Sequence, residues 1–185
     1  MKSQYPAVMV RAMDLAARWH DGQFRKHPIE RTPYVAHPAS VGLVLLHLGY
    51  DEEVVAAGIL HDVIEDCDVT FDDVAAATSF RVAELVDWVS ERKDLAWPQR
   101  KELYCQRLEQ APEGALAICA ADHVYNLRSI VDALQTHRDA WSWFNAPREA
   151  KIAHEQVVLE ILKSRLDSPL ISWYEEALYD CIHAE

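Results

Sequence analysis

The punctuation of this chain restricts its fold more than any other feature. A proline or a small polar residue recurs just ahead of apolar positions spaced three and four apart, which is the start signal and the period of amphipathic helices. Pro6 precedes Met9, Met13, Ala16, Ala17 and His20 on one face, and Asp21-Gly22 closes that segment. Pro38 opens a second with Val41, Val44, Leu45 and Leu48. Gly49 ends it, supplying a left-handed C-cap without steric cost. Asp51 is an N-cap for a third helix running through His61 to about Asp66. Thr70-Phe71-Asp72-Asp73 reads as a capping box, with Asp in place of Glu, for a fourth. Val82, Leu85, Val86 and Val89 mark a fifth, Pro98 opens a sixth, and Pro112 a long seventh through Cys119, His123 and Leu127 to Leu134. Pro147 and Pro169 start the last two. The expectation is an all-α single domain over residues 1–185, of about nine helices. In it, residues 139–185 form a C-terminal helical extension packed on the core.

Only 5 glycines occur, with no Gly-rich phosphate loop and no clear alternating strand pattern, so a β-rich or dinucleotide-binding architecture has little to stand on. The chain carries 30 Asp and Glu against 18 Lys and Arg, a formal charge of −12. Phosphate backbones are bound through Lys/Arg clusters that release counterions, which argues against nucleic acid as a partner. A phosphorylated small molecule is compatible only if positive charge is supplied locally. Apolar runs fall well short of the roughly 20 residues that span a bilayer, so no membrane helix is expected, and Met1-Lys2-Ser3 does not begin a secretory signal. Cys67, Cys105, Cys119 and Cys181 form no C-x-x-C pattern and read as free thiols of a reducing cytoplasm.

Ionisable groups gather where an apolar chain should not hold them. His61-Asp62 ends the run Val54 to Leu60, and Glu65-Asp66 follows one turn later. On an unbroken helix His61 and Glu65, and Asp62 and Asp66, are i,i+4 neighbours, so four such groups share one end of a hydrophobic element. Alone, the cluster is either a solvated helix end or a site for a divalent transition metal, since imidazole beside carboxylate is a borderline donor pair. His37, just ahead of the Pro38 start, and Asp122, after the apolar stretch Ala115 to Ala121, favour the metal. A buried Asp is costly unless it is paired or binds a cation. Gln23 to Pro38 holds Pro28, Pro33 and Pro38 together with Arg25, Lys26 and Arg31. It is too broken for a helix and too apolar for a tail, so it reads as a functional loop.

The order His37, His61-Asp62, Asp122 resembles the HD-domain metal-dependent phosphohydrolases, all-α helical bundles named for that doublet. Phe24-Arg25-Lys26 with Pro33-Tyr34-Val35-Ala36-His37-Pro38, Leu60-His61-Asp62-Val63-Ile64-Glu65-Asp66 and Ala121-Asp122-His123-Val124-Tyr125-Asn126-Leu127-Arg128 are similar to the hydrolase domain of the Rel/Spo alarmone enzymes. Among these the small stand-alone alarmone hydrolases are the best match. Trp141 to Glu149, with Phe144-Asn145-Ala146, is similar to the stretch that follows their hydrolase core. The resemblance implies that His37, His61, Asp62 and Asp122 ligate one divalent ion, Mn²⁺. It implies that Glu65 and Asp66 orient or deprotonate an attacking water, and that Arg25, Lys26, Tyr34, Asn126 and Arg128 contact a nucleotide. The implied reaction is hydrolysis of the 3′-pyrophosphate of ppGpp or pppGpp, giving GDP or GTP and pyrophosphate.

Cys119 and His123 stand where that family commonly has basic residues, so substrate identity is the open point. A phosphatase for another phosphorylated nucleotide, such as NADPH, is one alternative. A non-catalytic nucleotide-sensing module is the other, and Glu65 and Asp66 weigh against it, because a sensor needs no water-activating acids. The helices from Pro147 onward either cap the core or build a homodimer interface.

Overall fold

The structure, a computed structural model, describes residues 5–184 apart from 27–30, 138–139 and 144–145. Pro28 of the proline-rich loop, and Phe144 and Asn145, therefore lie outside the described residues. The helices are α1 (Ala7–Trp19), α2 (Ala36–His47), α3 (Glu52–Leu60), α4 (Val63–Asp66), α5 (Phe71–Ala77), α6 (Phe80–Val89), α7 (Trp97–Leu108), α8 (Glu113–Thr136), α9 (Arg148–Arg165) and α10 (Pro169–His183). One 3₁₀ turn, Ala140–Trp143, precedes α9. Among the described residues the fold is all-α. Its one extended pairing is an isolated bridge between Phe24 and Pro33 that pinches the loop ahead of α2.

Local chemistry accounts for most of these boundaries. The Asp51 carboxylate accepts from the backbone N–H groups of Glu53 and Val54 at the start of α3. Thr70 and Asp73 form the reciprocal capping box of α5. Gly49 takes a φ of +80° after α2, a region closed to a branched side chain.

Two boundaries differ from the expectation. α2 begins at Ala36, not Pro38, so His37 lies within its first turn. Proline is tolerated there because first-turn N–H groups have no helical acceptor. The third helix is not continuous to Asp66: α3 stops at Leu60, Asp62 adopts φ −96° and ψ −7°, and a single turn, α4, follows. Consecutive residues on a helix diverge by about 100°, so an unbroken helix would hold His61 and Asp62 apart. The break lets both face one point, while the Asp66 backbone N–H still donates to the Asp62 carbonyl oxygen at 2.8 Å, so Asp62 and Asp66 stay i,i+4 neighbours.

The core is centred on α3, buried from Val54 to Leu60, and on α8, buried from Ala115 to Ala121. α8 packs against α2, α3, α6, α9 and α10. α9 and α10 bury Val158, Leu162, Leu170, Tyr174 and Leu178 in the same core. Among the described residues no helix is long and apolar enough to cross a membrane.

α2 and α3 approach closely at two glycines. A Cβ on Gly42 would lie 2.4 Å from Ile59 Cγ1, and one on Gly58 would lie 2.4 Å from Leu45 Cδ1. Gly58→Val should therefore destabilise the fold by about 2 kcal/mol through overpacking, read as a lower urea midpoint at unchanged slope.

Candidate active site

Three separate elements bring the ligating atoms together. His37 in the first turn of α2 and His61 at the α3–α4 break are 1% and 4% exposed. Asp62 follows His61, and Asp122 stands midway along α8. His37 Nε2 lies 3.1 Å from Asp122 Oδ1 and 3.5 Å from Asp62 Oδ2. His61 Nε2 lies 3.2 Å from Asp62 Oδ2 and 3.5 Å from Asp122 Oδ1. One ligand atom each from His37, His61 and Asp122 falls within 4.8 Å of the others.

The chemistry of this set fits a divalent cation. His61 Nδ1 is 2.8 Å from the Gly58 carbonyl oxygen and donates to it, leaving Nε2 as a buried acceptor. Nε2 makes no hydrogen bond, yet it faces carboxylate oxygens. Lone pairs turned toward one another in the core are stabilised by a cation among them. The electrostatics agree. Burial alone would raise both aspartates, but the imidazoles outweigh it and hold Asp62 and Asp122 below the usual carboxylate range. Burial would likewise lower His61, and the two carboxylates reverse that.

A surrounding layer of hydrogen bonds orients the ligands. The Tyr34 hydroxyl donates to Asp62 Oδ2 at 2.5 Å and lies 3.3 Å from Asp66 Oδ2. Asn126 Nδ2 donates to Asp122 Oδ1 at 2.6 Å. Arg25 donates to Asn126 Oδ1 at 3.0 Å and to Ser129 Oγ at 3.3 Å, with its guanidinium near the rings of Tyr34 and Tyr125. Glu65 Oε2 accepts from the Glu91 backbone N–H at 3.0 Å. Burial, and then the charge of Glu91, push the Glu65 carboxyl up to about 7. Asp66 forms an ion pair with Lys93, which also lies 3.7 Å from Glu65.

All of these groups line one cavity of about 820 Å³ that also takes in Lys26. Tyr34 lines it too, but its hydroxyl is engaged on the aspartates, so it holds Asp62 instead of standing clear for a ligand. Arg128 is not brought to the cavity. Six residues past Asp122 it lies about 240° round the helix, and its guanidinium pairs with Glu176 of α10 at 3.1 Å. Asn126, four residues past, lies only about 40° away and stays on the site face.

Sequence reasoning missed several wall residues. Glu91 and Lys93 come from the polar segment between α6 and α7, and that interruption of an apolar pattern was their only signal. Glu91 carries Arg100 Nε at 2.8 Å and Lys101 Nζ at 2.5 Å. Trp143 and Lys151 also line the cavity and had no local signal. Cys119 and His123 also line the cavity, each with a polar partner in its wall: Cys119 Sγ accepts from the Tyr104 hydroxyl at 3.2 Å. His123 Nδ1 lies 2.6 Å from Glu155 Oε2, which also accepts from the Tyr174 hydroxyl at 2.5 Å.

An all-α fold with a His, His-Asp, Asp cluster defines the HD-domain class. The HD domain matches residues 12–143, which include all four clustered residues, and the chain belongs to that family. The human protein named guanosine-3′,5′-bis(diphosphate) 3′-pyrophosphohydrolase MESH1 is 39% identical over 126 residues, covering 67% of this chain and 70% of that protein. Its mouse counterpart is 40% identical over 129 residues, with the same coverage of 67% and 70%. A solved structure of a metazoan ortholog of SpoT, described as hydrolysing ppGpp and playing a role in starvation responses, superposes with a TM-score of 0.81. It shares 31% identity and covers 96% of this chain and 97% of that one.

A cation that binds this cluster binds the folded state only, so added divalent cation should raise the melting temperature and a chelator should reverse the rise. Asp122→Ala should abolish the response and Arg128→Ala should retain it, both read by thermal melts.

Proposed function

We propose that this chain is an Mn²⁺-dependent hydrolase of guanosine alarmones, releasing pyrophosphate from the 3′ position of ppGpp or pppGpp and leaving GDP or GTP. One observation carries the reading beyond the family: the ligand cluster and the Glu65–Asp66 pair open into a cavity lined by six of the chain's 18 Lys and Arg. The same wall holds six Asp and Glu, four of them the Asp62–Asp122 and Glu65–Asp66 carboxylates, so the cations act as local partners for phosphoryl oxygens and not as a net positive charge.

His37, His61, Asp62 and Asp122 are the groups that would hold the ion. Bound there, it supplies a Lewis acid for a phosphoryl oxygen and lowers the pKa of a water. Glu65, ionised above about pH 7, takes the proton of the attacking water. The water oxygen bonds to the phosphorus next to the ribose 3′ oxygen, that P–O bond breaks, and the 3′ oxygen leaves and gains a proton. Asp66, paired with Lys93, orients the water. Arg25 and Lys26 offset charge on the phosphoryl oxygens, and Asn126 ties Arg25 to Asp122.

The HD unit and the extension over 139–185 act as one domain in this reading. The four free cysteines suit the reducing cytoplasm.

Purified protein with Mn²⁺ should release pyrophosphate from ppGpp, and Asp62→Ala should abolish it. Phosphate release from NADPH without turnover of guanosine nucleotides would overturn the substrate assignment. Because the Glu65 carboxyl is raised, its base form is lost as pH falls. kcat should therefore rise with pH on the acid side, with a midpoint at or below about 7, since a bound cation pulls that carboxyl down. Glu65→Gln should remove at least about 99% of kcat and abolish that limb.

A further inference from the structure

The segment between α6 and α7 reaches the Glu65–Asp66 pair through one residue that acts at both of its ends. The Glu91 backbone N–H donates to Glu65 Oε2 at 3.0 Å. Its largely buried carboxylate takes Arg100 Nε at 2.8 Å on one oxygen and Lys101 Nζ at 2.5 Å on the other, both from the first half of α7. Two residues further along, Lys93 pairs with Asp66 and lies 3.7 Å from Glu65 Oε1. The two oxygens of Glu65 thus face different groups of the same short segment, Oε2 its N–H and Oε1 its ammonium.

Joining α6 to α7 does not account for this arrangement. Arg107 of α7 already donates to the carbonyl and the carboxylate of Asp87 near the end of α6. An acid needed only as a partner for Arg100 and Lys101 would cost less away from another poorly exposed carboxyl, because like charges there repel. Glu91 instead stands beside Glu65, where its charge raises that carboxyl. The two cations behind it hold the Glu91 carboxylate in place against the repulsion. A backbone N–H outside a helix has to find an acceptor, and at Glu91 that acceptor is Glu65.

We propose that Glu91 is a positioning residue for Glu65. Arg100 and Lys101 anchor its side chain to α7, and the backbone N–H so anchored holds Glu65 Oε2, which turns Oε1 to the attacking water. This role rests on the reading of Glu65 as the base of the hydrolysis; the contact between the two residues does not.

The test uses the full chain and compares wild type with Glu91→Ala, Glu91→Gln and Arg92→Ala. Arg92 is the control within the segment, since it pairs with Asp94 at the surface. The charged groups around Glu65 are Asp62 and Asp66 of its own segment, Glu91 and Lys93 after α6, and Arg100 and Lys101 of α7 behind Glu91. Only the Glu91 charge differs between wild type and the two Glu91 variants, and a bound cation acts on all of them alike. Glu91→Ala should lower kcat for ppGpp about tenfold while KM stays within about twofold. Glu91→Gln keeps the length and can still accept from Arg100, so it should recover part of that kcat. Both should move the acid limb of kcat to lower pH, because the charge that raises Glu65 is gone; lost packing alone would not move it. Arg92→Ala should match wild type in both readouts. Without metal or substrate, amide hydrogen exchange at Glu91 should be slow in wild type and at least about tenfold faster in Glu65→Ala. Wild-type kcat and an unmoved limb in both Glu91 variants, or a Glu91 amide whose exchange Glu65→Ala leaves unchanged, would overturn the role. A wild type that turns over no guanosine nucleotide, while Glu65→Ala still speeds that exchange, would remove the alarmone reading and support the contact.

Discussion

Asp122 stands midway along α8, just past seven consecutive buried residues, where a carboxylate survives only beside groups that neutralise it. Much of the architecture follows from meeting that need. α2 starts early enough to place His37 in its first turn, and α3 breaks so that His61 and Asp62 turn to the same point. The close crossing of α2 and α3 at Gly42 and Gly58 brings both imidazole-bearing helix ends within reach of α8. Tyr34 and Asn126 then fix the carboxylate orientations from opposite sides of the cluster in sequence. Such outer hydrogen bonds set ligand direction and are as much part of a metal site as the ligands.

The fold separates this acidic chain's charges in space. Lys93 stays with Asp66, Arg100 and Lys101 share Glu91, and Arg25 rests against Asn126 and two tyrosine rings. The acids that remain close to one another are those at the chemistry. Glu65 beside Glu91 is the clearest case, and their mutual repulsion with burial raises Glu65 toward neutrality. Net charge describes solubility and long-range steering; the cavity is decided by which charges the fold places beside each other.

What was legible in the sequence was local. Helix starts could be read because Asp51 and Thr70 accept from N–H groups of their own first turn, and because proline's fixed φ and missing N–H suit that turn. The clustered residues could be picked out because Asp122 in an apolar run is anomalous on its own. The break at His61-Asp62 could not, since no proline or glycine marks it and the Asp122 that both residues face lies some sixty residues away along the chain. Arg128 looked like a neighbour of Asn126 in sequence, but helix phase sends it to Glu176. Lys101 and Lys151 carry no local signal at all: each is an ordinary helical lysine until α7 and α9 are packed against α8.

The account depends on a cation at the four clustered residues. Anomalous diffraction from a manganese-soaked crystal tests this most directly. The predicted result is one strong peak at bonding distance from His37 Nε2, His61 Nε2 and the carboxylates of Asp62 and Asp122. A peak bound elsewhere, or none in a protein whose His61 Nε2 still faces the two aspartates, would contradict it.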